Sequence, residues 1–222
     1  MTEQNRKQEI IKAINKISGK YSAYEVFSDW IKCYALSISN SCQFFHEKVW
    51  QVREREYIDI MARYTREEHE AFIKMAVNLV EIMESEMSDV LGQIYMGSGM
   101  GSKAAGQFFT PYHLSQVCAK LSRPEPDEDG IYRLYEPSCG SGGMIIAAVE
   151  SLKEQGIDYQ RRVRVVAQDL DWKSVYMCYL QLSLYGVRAV VVQGDTLTDT
   201  YRAGKFPKER VLYTPAELGV LL

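Results

Sequence analysis

Residues 136–143 read Glu-Pro-Ser-Cys-Gly-Ser-Gly-Gly. A short strand-like run, Ile131–Tyr135, precedes them, and an apolar helical pattern running to about Lys153 follows. Few local folds accept that order. Glycine tolerates backbone conformations closed to other residues, so the chain can turn sharply and let another group approach closely. A helix that starts directly after the turn presents its first amides without intrahelical partners. At the carboxyl edge of a parallel sheet, such a strand–turn–helix unit is where nucleotide-type ligands bind. Alone it is weak evidence, because tight turns use the same residues.

The surrounding pattern supplies the sheet. VRVVAQD (163–169) is a β-branched strand, 172–185 a helix ending at Gly186, AVVVQGD (189–195) a third strand, and RVLY (210–213) a fourth. Strands alternating with helices predict a parallel α/β sheet with right-handed crossovers. Upstream the chain reads as helices. Ile10, Ile11, Ile14 and Ile17 recur at helical spacing, followed by stripes at Tyr24, Phe27, Trp30, Ile31 and Tyr34 and at Phe45, Val49 and Val52. Thr65-Arg-Glu-Glu is a capping box, and Phe72, Ile73, Ala76, Val77, Leu79, Val80 and Met83 form one broad face after it. GSGMGSKAAG (97–106) breaks the helical pattern, and Pro111 suits the first turn of a helix over 112–121. The expected organisation is a helical domain over 1–100 and a partial cofactor-binding domain over 101–222.

Composition narrows the functions. Net charge is −3, with 26 basic and 29 acidic residues, whereas a stand-alone nucleic-acid binder carries a basic excess. DNA as a partner would be gripped by a local patch, by further sequence or by another chain, not by a strong basic surface. Five widely spaced cysteines (Cys33, Cys42, Cys118, Cys139, Cys178) form no CxxC pair, and three scattered histidines have no ligand spacing. Neither a disulfide framework nor a metal site is expected. The N-terminus has no apolar signal core and no run of roughly 20 apolar residues occurs, so a cytoplasmic, membrane-free protein is expected.

Two acids mark successive strand ends. Asp169 lies 26 residues beyond Gly143, where a carboxylate can accept hydrogen bonds from both ribose hydroxyls. Its alternative role is to cap the next helix, for which Asp171 is better placed. Asp195 follows the third strand, where a base would lie, and its alternative is also a cap.

GQFFTP (106–111), EPSCGSGGM (136–144), AQDLD (167–171) and GDTL (194–197) occur in that order. Together they resemble the cofactor motifs of adenine-specific DNA methyltransferases, the modification subunits of type I restriction systems. DVLGQIYMG (89–97) resembles the helix that precedes GQFFTP there. The likeness runs from about Asp89 to Leu197. It implies an α/β fold: an N-terminal helical domain followed by a partial Rossmann-like S-adenosylmethionine-dependent methyltransferase sheet of four strands.

The resemblance also implies S-adenosylmethionine as cofactor. Phe108, Thr110 and Pro111 would close over the methionine end. Glu136 and the backbone of Ser138, Gly140, Ser141 and Gly142 would hold the amino-acid moiety. Asp169 would take the ribose, Leu170 the adenine face and Asp195 the adenine amine, with Leu197 nearby. Cys139 reads as a small turn residue and not as a nucleophile.

One part of the family pattern is missing. The Asn-Pro-Pro-aromatic tetrapeptide that would orient the target adenine and stack on it does not occur. At its expected place stands Tyr213-Thr214-Pro215-Ala216-Glu217, which leaves Thr214 and Pro215 as the catalytic candidates. Four strands also leave an open sheet edge, which invites a protein partner or a second copy. Two functions follow. One is a cofactor-binding protein inactive alone; the other is an active methyltransferase subunit whose catalytic half comes from a partner chain. Dinucleotide binding is a weaker third, since the turn is not GxGxxG.

Overall fold

The computed structural model describes residues 2–42, 47–100, 108–122 and 124–220. Four long helices open the chain: α1 (Glu3–Ile17), α2 (Ala23–Cys42), α3 (Glu47–Met61) and α4 (Arg66–Ser85). Their starts are written locally. The Thr2 hydroxyl accepts from the Asn5 amide at the head of α1, and Thr65 and Glu68 form the reciprocal capping box of α4. α5 (Val90–Gly97) and α6 (Tyr112–Ser122) follow.

Two helix faces differ from expectation. α4 buries Phe72, Met75, Leu79, Ile82 and Met83, while Ile73 and Val77 are more than half exposed. At 3.6 residues per turn, a stripe through 72, 75, 79 and 82 leaves 73 and 77 turned away from it. On α3, Val52 is exposed and the buried residue is Arg53. Its guanidinium donates to the Ser39 hydroxyl and to the Val211 carbonyl, each at 2.8 Å. Phe45 and residues 101–106 of the expected link lie outside the described residues.

The sheet has four strands in the order β1 (Tyr132–Glu136), β2 (Val163–Asp169), β3 (Ala189–Gln193) and β4 (Val211–Tyr213). β1, β2 and β3 are parallel. Their crossovers are α7 (Gly143–Glu154) with the short α8 (Tyr159–Arg162), and α9 (Trp172–Leu184). β4 corrects the all-parallel expectation, because it runs antiparallel to β3. A parallel neighbour requires a crossover, usually helical. Between Gly194 and Pro207 the chain forms only turns and bends, so it comes back in the opposite direction.

Helices and sheet share one apolar core. Phe27, Trp30, Leu79 and Tyr95 from the helical layer join Ile146, Val165, Tyr179, Leu180, Val191 and Leu212 in a single cluster. α2 packs along α9 at its centre. No helix among the described residues is long and apolar enough to cross a membrane. This packing fixes the carboxyl ends of β1, β2 and β3 as one edge of the sheet, with the glycine-rich turn on it.

Candidate functional site

The turn is pinned at both ends. The Cys139 amide donates to the Gln168 carbonyl at 2.9 Å, and the Gly142 amide to the Cys139 carbonyl at 2.8 Å. Gly140 and Gly142 have φ of +52° and +97°. A Cβ on Gly140 would sit 2.9 Å from the Phe109 ring, and one on Gly142 would sit 3.2 Å from Cys178 Sγ. Both positions therefore need glycine for conformation and for space. Gly142 is also the N-cap of α7 and offers no side chain to its first amides.

Asp169 turns toward this structure. Its Oδ2 accepts from the Gly140 amide at 2.8 Å and its Oδ1 from the Asp171 amide at 3.0 Å. The cap of α9 is Asp171, which accepts from the Ser174 amide. Asp195 accepts from the Leu197 amide at 2.9 Å, an Asx-type turn rather than a helix cap. Thr196 then ties that segment to the glycine-rich turn by donating to the Pro137 carbonyl at 2.6 Å.

A cavity of about 410 Å³ opens beside the turn. Its wall brings together Phe108, Phe109, Thr110, Ser138, Gly140, Ser141 and Asp169. Pro111 and Gly142 adjoin the wall through their chain neighbours, and Glu136 through the hydrogen bond it accepts from the Ser138 amide, but none of the three lines it. Leu170, Asp195 and Leu197 lie outside it on the same sheet edge; Leu170 is 67% and Leu197 95% exposed. Gly106 and Gln107 of the GQFFTP segment lie outside the described residues. The two phenylalanines divide the labour: Phe109 packs on Tyr95, ring centroids 5.3 Å apart, while Phe108 stays 67% exposed.

Sequence reasoning missed Asp89. It caps α5 and also lines the cavity at 2% exposure. Its Oδ1 accepts from the Gly92 amide and from Gln181 Nε2, and its Oδ2 from the Ser141 hydroxyl at 2.6 Å. Burial pushes its carboxyl above the usual range, against the opposing pull of those hydrogen bonds. The only signal in the sequence is an aspartate before an apolar helix, which reads as a cap. Ser115, fully buried in the same wall, was missed as well.

The electrostatics of the wall are one-sided. Asp89 and Asp169 line the cavity, and no lysine, arginine or histidine does so among the described residues. Burial, with a contribution from Asp169, also raises the Glu136 carboxyl, while the Ser138 amide opposes the shift. The Cys139 thiol is pushed well up by its hydrogen bond with Cys178 and by burial, which removes its nucleophilic character. A larger cavity of about 580 Å³ lies between α2, α3 and α9. Lys32 and Glu56 of its wall pair at 3.2 Å.

Thr214 and Pro215 are not brought to this site. Thr214 follows the antiparallel β4 and lies beside Ala189, at the start of β3 and therefore at the opposite sheet edge. Its hydroxyl accepts from the Ala189 amide at 2.9 Å and donates to the Val187 carbonyl at 2.7 Å. Pro215 lines a separate cavity with Arg188 and Val220. The catalytic expectation for both residues is corrected by the direction of β4.

The family model described as N-6 DNA methylase matches residues 85–214. The chain is 28% identical over 129 residues to the MjaIX methylase subunit of a type I restriction enzyme from Methanocaldococcus jannaschii. It is 23% identical over 133 residues to the MpnII methylase subunit of a type I restriction enzyme from Mycoplasma pneumoniae. Each match covers 55% of this chain but only 21% and 24% of those relatives, so the chain spans under a quarter of their length. Among solved structures, one described as a class I S-adenosylmethionine-dependent methyltransferase from Listeria monocytogenes superposes with a TM-score of 0.52. It is 12% identical and covers 97% of this chain and 69% of its own, a likeness of fold.

Proposed function

The chain belongs to the N-6 DNA methylase family, and on that premise we propose that its glycine-lined cavity binds S-adenosylmethionine and that these 222 residues transfer no methyl group by themselves. One observation carries the first half. The cavity combines a glycine-rich turn with two carboxylates and has no basic side chain among the described residues. A cationic sulfonium nucleoside suits such a wall. A dinucleotide would bring a pyrophosphate against Asp89 and Asp169, at a cost in like-charge repulsion. The volume is also within the usual range for a small-molecule site, roughly 300–1,000 Å³.

In this reading Asp169 holds the ribose hydroxyls. Glu136 and the 138–142 backbone hold the amino-acid moiety, and Phe108, Thr110 and Pro111 cover it. Leu170, Asp195 and Leu197 meet the adenine at the open edge. When bound, the cofactor supplies an electrophilic methyl group. The second half rests on what lies beside that group. The sequence has no Asn-Pro-Pro-aromatic segment to orient an adenine amine, and Thr214 is engaged at the opposite edge. Methyl transfer then needs residues from elsewhere, and β1, an edge strand of the described sheet, is where another polypeptide would meet this one. DNA would be gripped mainly by that partner, and the assembly would work in the cytoplasm with its substrate.

Isothermal titration with S-adenosylmethionine tests the binding claim. Wild-type protein should give one site, and Asp169→Ala should weaken it by about 10- to 100-fold, the loss of hydrogen bonds to a charged group. No heat from wild type, or equal affinity in both proteins, would sink it. Tritiated methyl transfer to adenine-rich duplex by the isolated chain, above background, would overturn the second half.

A further inference from the structure

We propose that Asp89 and Ser115 form the cation-recognising end of the cavity and take the primary ammonium of the bound nucleoside's amino-acid tail, which makes Asp89 a determinant of ligand charge. The inference rests on the reading that the cavity binds S-adenosylmethionine.

Two independent observations point there. The first is Asp89 itself. It is a carboxylate at 2% exposure that lines the cavity although it belongs to the helical layer. Its three donors are the Gly92 amide, the Gln181 amide group and the Ser141 hydroxyl, all neutral. A buried carboxylate held by neutral donors keeps its charge uncompensated, and desolvation makes that expensive unless a cation joins it. Lys7 acts on it electrostatically, but no salt bridge joins the two. Oδ2 accepts one donor, from Ser141, and retains capacity for another.

The second is Ser115. Its hydroxyl is fully buried, lines the same cavity and has no hydrogen-bond partner among the described residues. A buried hydroxyl without a partner is costly, and of those among the described residues Ser115 is the one that lines this cavity. An ammonium has three donors and no acceptor, so it can donate to Asp89 Oδ2 and to Ser115 Oγ together.

The surroundings hold Asp89 in place. Gln181 donates both to Asp89 Oδ1 and to the Ser141 carbonyl at 2.8 Å, and accepts from the Leu91 amide at 3.1 Å. A Cβ on Gly92 would lie 2.1 Å from Asp89 Oδ2, and one on Gly143 would lie 3.0 Å from it. Glycine at both positions leaves room for the carboxylate. The cap of α5 thus contributes a binding group to a pocket otherwise lined mainly by the glycine-rich turn, residues 108–110, α6 and the end of β2.

The test compares two ligands that share a nucleoside and differ in charge. S-adenosylmethionine carries the ammonium; 5′-methylthioadenosine has neither ammonium nor sulfonium. Both are titrated by calorimetry, up to millimolar ligand, into wild type, Asp89→Asn and Ser115→Ala. Asn keeps the shape and can still bond Gly92 and Ser141, and melting curves of the free proteins verify the fold. Asp89→Asn should weaken S-adenosylmethionine about 10-fold or more and methylthioadenosine less than twofold. Ser115→Ala should act in the same direction, by about threefold. Equal weakening of both ligands would make Asp89 a support for the turn only, and would overturn the proposal while leaving the pocket intact. Failure of wild type to bind S-adenosylmethionine would overturn this proposal together with the reading it rests on.

Discussion

The two edges of this sheet put their polar side chains to opposite ends. At the carboxyl edge, Asp169, Asp89 and the glycines leave hydrogen-bonding capacity and space facing a cavity. At the opposite edge, Thr214 spends its hydroxyl on two backbone groups, the Ala189 amide and the Val187 carbonyl. A hydroxyl whose donor and acceptor roles are both taken by backbone groups, away from the cavity, is part of the scaffold. One that lines a cavity with capacity left over is available to a ligand. On the proposed reading the motifs of the carboxyl edge face a ligand, while Thr214 stitches the end of β4 to the start of β3. Substitutions at the two edges should therefore separate affinity from stability.

The largest effect is expected at Gly140. Its φ of +52° and the 2.9 Å approach of Phe109 to an added Cβ both oppose any side chain. Gly140→Ala should cost about 1–2 kcal/mol from the left-handed backbone alone. It should also push Phe109 from the cavity wall and weaken S-adenosylmethionine by at least about 10-fold. Thermal melting and calorimetry read the two effects. Unchanged affinity would break the assignment of this edge to ligand.

Thr214→Val is the counterpart. Valine keeps the shape and removes the hydroxyl, so the Ala189 amide loses an acceptor inside the fold. The expected cost is about 1–2 kcal/mol, a lowering of Tm by roughly 2–8 °C for a chain of this size. Ligand affinity should stay within about twofold. A loss of affinity comparable to that of Asp169→Ala would return Thr214 to the site and erase the contrast between the edges.

What was legible in the sequence was what is local. VRVVAQD, the glycine-rich turn and the Thr65 capping box each carry their geometry within a few residues, and β2 spans the expected 163–169. The direction of β4 is not local. RVLY alternates equally well in either direction, and only the turns of 194–207 and the bonds of Thr214 to Ala189 and Val187 decide it. The burial of Arg53 is not local either, because its partner carbonyl, on Val211, lies 158 positions away. Asp89 was hidden in the same way. Its partners Ser141 and Gln181 are 52 and 92 positions distant, so the resemblance of 89–97 to a helix carried no sign of a cavity wall.

The smallest effect, and the finest division, is expected between two aspartates two residues apart. Asp169 and Asp171 flank Leu170, and either could cap α9 by sequence. In the fold Asp171 does so, accepting from both the amide and the hydroxyl of Ser174 at 3.1 Å, while Asp169 reaches the Gly140 amide. Asp171→Ala should therefore cost about 1 kcal/mol in stability, the usual loss of an N-cap. Affinity for S-adenosylmethionine should change less than about threefold, because the carboxylate on the cavity wall remains. Asp169→Ala should show the reverse ranking, with a modest change in melting and the larger loss in binding. If the two variants lost affinity equally, the boundary between scaffold and site would not fall between these residues, and the ribose role given to Asp169 would have to be shared with the cap.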